Sequence, residues 1–65
     1  MDDLIQYPSD PLPVVGKWYW VVQVPGDAGQ RGMYTGGETM PPFVDANFRV
    51  VGLARCWYRE LRPGE

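Results

Sequence analysis

The side chains able to do chemistry in this 65-residue chain are few, and the missing ones decide as much as those present. There is no His and a single Cys, Cys56. A hydrolytic triad needs a nucleophile, a base that titrates near neutrality and a group that orients it, and the usual base is His. Cys56 would have to be activated by Arg55 or Arg59 lowering its thiol pKa. A thiol inside an alternating apolar run is more often buried and inert. One Cys also excludes an internal disulfide and, without His, a tetrahedral Cys/His metal site.

The acids are no better placed. Asp2 and Asp3 are adjacent near the N-terminus, Asp10 lies between Ser9 and Pro11, and Asp27 sits in Pro25-Gly26-Asp27-Ala28-Gly29. General acid–base work needs paired carboxylates on rigid elements with shifted pKa values. Asp27 reads instead as a turn residue that accepts backbone hydrogen bonds. The glycines at 26, 29 and 32 are spaced by three, but no Gly-Lys-Ser/Thr follows them and the chain barely accommodates a βαβ unit. They read as a flexible hairpin loop. The expectation is a non-enzymatic protein with no catalytic residue, no cofactor and no metal site.

The informative set is aromatic: three Trp, four Tyr and two Phe. A chain this small buries only about 60% of the surface that its unfolded form exposes. The rings therefore should not all fit inside, and those left outside can anchor a protein interface or stack on bases. Arg55 and Arg59 flank Trp57 and Tyr58 and add directional pairing. The candidate protein-binding residues are Tyr19, Tyr34, Phe43, Arg55, Trp57 and Arg59.

These residues must be positioned by a small β-rich domain. Residues 1–13 contain Pro8, Pro11 and Pro13, which forbid a regular ladder and favour an extended or polyproline arm that Leu4, Ile5 and Tyr7 can pin to a surface. From Val14 a run of β-branched and aromatic residues reads as a strand. Its uncharged alternate residues Trp18, Trp20, Val22 and Val24 make the better core face, with Lys17, Tyr19, Val21 and Gln23 opposite. Gln30 to Thr35 reads as a second strand, and Gly36-Gly37 as a type I′ hairpin leading into residues 38–40. Pro41 and Pro42 then break the sheet, and Phe43 rides on a loop.

Residues 47–61 fit two patterns. As strands they place Phe48, Val50, Ala54, Cys56 and Tyr58 on one side; as a helix they align Val50, Leu53, Ala54, Trp57 and Leu61. The β-branched pair Val50-Val51 and the aromatic pair Trp57-Tyr58 favour strands, with a C-terminal helical turn as the alternative. The expected fold is mainly β: a small antiparallel sheet or a five-strand SH3-like barrel, since closure removes exposed edges. The expected organisation is an arm at 1–13, one domain at 14–62 and a tail at 63–65.

The formal charge of −2 conceals a gradient from −3 over residues 1–30 to +2 over residues 46–65. An acidic balance argues against a general polyanion binder, because phosphate neutralisation supplies most non-specific affinity. The longest uncharged apolar run, Trp18 to Val22, is five residues, far short of the ~20 of a membrane span, so no membrane partner is expected. Met1-Asp2-Asp3 lacks the basic and apolar regions of a signal peptide. The expected location is cytoplasmic, which is the host cytoplasm if the protein is viral.

The leading function is a small accessory, inhibitory or adaptor module that docks on a larger intracellular protein. A single-stranded nucleic-acid binder using the same Arg and aromatic residues is one rival, with nucleic acid the less favoured partner. The other rival is a structural subunit of a homo-oligomer or larger assembly.

Overall fold

The computed structural model describes residues 4–65. The acids Asp2 and Asp3, and the reading of location taken from Met1-Asp2-Asp3, lie outside the described residues. Six strands form one sheet: β1 (Ile5–Tyr7), β2 (Trp18–Val22), β3 (Gln30–Tyr34), β4 (Phe43–Val44), β5 (Val50–Gly52) and β6 (Cys56–Glu60). Their spatial order is β1-β6-β2-β3-β4-β5, and every pairing is antiparallel. β1 and β5 are the two edges and do not pair, so the curled sheet is a half-barrel.

This corrects the expected five-strand barrel in three places. The sixth strand comes from the proline-rich lead-in: Ile5-Gln6-Tyr7 precedes the first proline and pairs with Tyr58, Trp57 and Cys56. Pro8, with no N–H to donate, ends a strand that is already at an edge, where proline is tolerated. No helix occurs among the described residues, and the C-terminal helical turn, the alternative to strands, is absent. Residues 53–55 instead leave the ladder between β5 and β6, and Gln23 holds them, accepting from Leu53 N at 3.0 Å and donating to Arg55 O at 2.7 Å.

The third correction concerns the Gly36-Gly37 turn. Both glycines take positive φ, 95° and 73°, but the ladder does not resume at Glu38. Pro41 and Pro42 cannot donate to it, so it resumes only at Phe43, and the loop between is closed through Thr35. Thr35 N donates to Pro42 O at 2.8 Å and Thr35 Oγ1 to Pro41 O at 2.7 Å. Phe43 therefore opens β4 rather than riding on a loop. Phe48, expected on the inner side of a strand, stands in a turn at φ 61°, largely exposed. Asp45 caps that turn by accepting from Asn47 N and Arg49 N.

The inner face carries the core, and its composition inverts the expected one. Tyr19 and Val21 face inward from β2 and are buried, while Trp18 and Trp20 are partly exposed on the outer face. The polar residues that argued for the opposite orientation lie beyond the ends of the strand. Lys17 pairs with Glu60 at 2.9 Å in solvent, and Gln23 caps the 53–55 connection.

Phe43 is fully enclosed. Its ring meets Tyr7, Tyr19, Tyr34 and Tyr58 at centroid separations of 5.6, 6.2, 5.3 and 5.6 Å. Buried hydroxyls find partners: Tyr7 and Tyr34 share a hydrogen bond of 3.1 Å, and Val14 N donates to Tyr19 Oη at 2.9 Å. β5 closes over this cluster at Gly52. A Cβ there would lie 2.9 Å from Cys56 Sγ, 2.9 Å from Val21 Cγ1 and 3.2 Å from Phe43 Cδ2. Gly52→Ala is expected to destabilise the fold by about 1–3 kcal/mol through overpacking. A lowered urea midpoint at unchanged slope checks this.

Candidate functional site

Strand registry builds the outer face from three adjacent strands. Trp20 of β2 stands directly between Arg59 of β6 and Arg31 of β3. Trp18 is paired with Met33, and Val22 with Trp57. Residues directly opposite on antiparallel strands point to the same face with Cβ atoms ~5 Å apart, so these seven form one continuous surface. The central row is arginine, tryptophan, arginine, and an aromatic and apolar row lies on each side.

The cations lie on the rings. The guanidinium carbon of Arg59 is 5.4 Å from the ring centroid of Trp20, and that of Arg31 is 5.6 Å from that of Trp18. Such stacking restricts the long side chains over the rings, and the Trp20 indole nitrogen packs against Gly29, where an added Cβ would lie 2.5 Å from it. None of the three indole N–H groups donates to a described residue. Shallow grooves open at both ends of the row. One is lined by Leu4, Trp20, Val22, Asp27, Arg59 and Arg62, the other by Trp18, Arg31, Asp45 and Ala46.

Arg59 also grips a carboxylate. Its Nη1 and Nη2 donate to the two oxygens of Glu65 at 2.8 and 2.7 Å, and Arg62 N donates to Glu65 Oε1 at 2.7 Å. The Arg59 fork first, and the Arg62 N–H second, hold the Glu65 carboxyl well below the usual range, at about 2. The carboxylate therefore remains ionised and bound across the neutral and mildly acidic range.

The six candidate residues divide. Trp57 and Arg59 stand on the outer face, and Arg55 is exposed in the connection before β6. Tyr19, Tyr34 and Phe43 are enclosed in the core and offer no ring to a partner. Trp18, Trp20 and Arg31, not among the candidates, belong to the face. The spacing Trp18-x-Trp20 puts both rings on one face of β2, but that this face meets Arg31 and Arg59 follows only from the pairing with β3 and β6. Among the described residues no group of three or more His, Cys, Asp or Glu gathers as metal ligands, and no helix is long and apolar enough to cross a membrane.

Cys56 is buried at the inner face, and burial pushes its thiol up to about 11. It is therefore protonated at neutral pH, and labelling there is expected to be slower than for a free model thiol. Burial, then the hydrogen bond to Tyr7, raises Tyr34 to about 12. Both groups keep their protons longer when folded than when unfolded. Stability from them is complete below pH 9 and falls between about pH 9 and 12, as the unfolded chain ionises first. Melting curves over that range check the direction, and Cys56→Ala should delay the onset. Comparison of the chain with protein-family models, with curated proteins and with solved structures finds no match, so the functional reading rests on the geometry of this face.

Proposed function

We propose that the chain is a small non-enzymatic protein-binding module, of accessory, inhibitory or adaptor type, that docks through the outer face of β6, β2 and β3. The observation that carries this is the gathering of Trp18, Trp20 and Trp57 with Arg31 and Arg59 on one partly exposed sheet surface. Trp and Arg dominate the energetic centres of protein interfaces, because a large ring or a flat guanidinium buries much area at little cost in side-chain freedom. Here stacking has already restricted those side chains, which lowers the ordering cost on association.

Charge favours a protein over a polyanion. Arg59 is matched by Glu65, and Asp27 and Asp45 line the grooves at either end. A phosphate backbone laid along the row would meet these carboxylates at both ends. The mixed signs suit a folded partner with its own polar rim.

Trp57→Ala and Arg31→Glu, each confirmed folded by circular dichroism, should weaken capture of the partner by more than tenfold, about 1.4 kcal/mol. The measurement is quantitative comparison of proteins retained from source-cell extract by immobilised wild-type and variant chains. Equal retention by all three would overturn the docking face. Tight, steeply salt-dependent binding of single-stranded oligonucleotides would replace a protein partner with nucleic acid. A sedimenting dimer lost in both variants would replace it with a second copy.

A further inference from the structure

We infer that the groove between residues 10–14 and the adjoining ends of β1, β2 and β6 is a second binding surface, and that it takes an extended apolar segment carrying one basic side chain. It is separate from the docking face proposed above and does not rest on it. Ile5 stands directly opposite Tyr58 in the β1–β6 pairing, so both belong to the inner side of the sheet, whereas Trp18, Trp20 and Trp57 stand on the outer side.

The groove encloses about 380 Å³, and its walls are largely aliphatic. Ile5, Leu12 and Val14 line it and are 44, 53 and 61% exposed. Apolar side chains gathered in water around one concavity mark a place where another chain is taken up. The wall is also held in place. Val14 N donates to Tyr19 Oη at 2.9 Å, and Ser9 Oγ donates to Gln6 O at 2.7 Å where the chain leaves β1.

The floor carries a polar signal. Of the four core tyrosines, Tyr7, Tyr19 and Tyr34 each have a hydrogen-bond partner for the hydroxyl. Tyr58, only 4% exposed, has none among the described residues. No buried side-chain oxygen among those residues is left unsatisfied, so the Tyr58 hydroxyl is the part of the residue that reaches solvent. The open space that Tyr58 lines is this groove. A backbone carbonyl or N–H of an occupant would complete the pairing that the chain itself leaves unmade.

Charge selects the rest. Lys17 and Glu60 at the groove neutralise each other through contacts of 2.9 Å to both carboxylate oxygens. Asp10 lines the same groove with no ion pair or hydrogen bond among the described residues. The unmatched charge is negative, which favours a lysine or arginine on the occupant and disfavours an acid.

The probe is a capped, fluorophore-labelled pentapeptide in which one lysine lies between two pairs of leucines, with glutamine and glutamate peptides as controls. The full chain is titrated into each at low salt. Wild type should bind the lysine peptide most tightly and the glutamate peptide least. Asp10→Asn, at an exposed position, should erase the preference for lysine over glutamine. Leu12→Ser, also exposed, should weaken all three peptides alike. Tyr58→Phe should leave the urea midpoint unchanged, since the hydroxyl has no partner in the free chain, yet weaken every peptide by roughly threefold or more, the worth of one hydrogen bond. Trp57→Ala should bind all three as wild type does.

No binding of the lysine peptide with the chain at millimolar concentration, a lysine preference that survives Asp10→Asn, or unchanged affinity in Tyr58→Phe would overturn this site. A loss in Trp57→Ala equal to that in Leu12→Ser would move the peptide to the outer face and overturn it as well. Failure of partner capture to depend on Trp57, with these peptide results intact, would remove the docking face and leave the groove standing.

Discussion

The packing of four tyrosines around Phe43 is the constraint on which the rest of this structure depends. The Phe43 ring contacts Tyr7 from β1, Tyr19 from β2, Tyr34 from β3 and Tyr58 from β6, mostly edge to face or tilted. Four strands are thus fastened to one side chain of a two-residue fifth. Rings in these orientations add attraction beyond the area that they bury. Tyrosine suits a shallow interior because its hydroxyl can reach a polar partner at the margin while the ring stays covered. The Tyr7–Tyr34 pair and the Val14–Tyr19 bond show this directly.

A core filled by phenol rings leaves no inner place for the indoles. Alternation along β2 then has one outcome: Tyr19 and Val21 turn in, and Trp18 and Trp20 turn out. The same holds on β6, where Cys56 and Tyr58 turn in and Trp57 and Arg59 turn out. Antiparallel registry brings these outward residues side by side, and the guanidinium groups settle on the rings. The cohesion of the inner face thereby creates the exposed one, and the proposed docking surface follows from how the protein folds.

Much of this was legible in the residues and some was not. The β character of 18–22, 30–34 and 56–60 follows from β-branched and aromatic runs bounded by turn residues. The inward face of β2 is not legible locally, because Lys17 and Gln23 continue its alternation in sequence although both lie just outside the strand. β1 was hidden by the prolines after it, which limit its length without preventing it. β4 was hidden by Pro41-Pro42 and by having only two residues, too few to show a period. Within the candidate site, Trp57 and Arg59 could be named from local spacing. Trp18, Trp20 and Arg31 required the pairing of β2 with β3 and β6, and registry between distant segments is not written in local pattern.

The division of labour between the two sides of the sheet bears on how such a protein can diverge. Residues that alternate along one strand contribute to separate surfaces, so changes on one side should combine almost independently with changes on the other. New recognition properties could accumulate among the outward positions while the tyrosine-lined interior stays constant. A lineage of small chains sharing this scaffold could therefore meet unrelated targets and retain little resemblance outside its hidden rings.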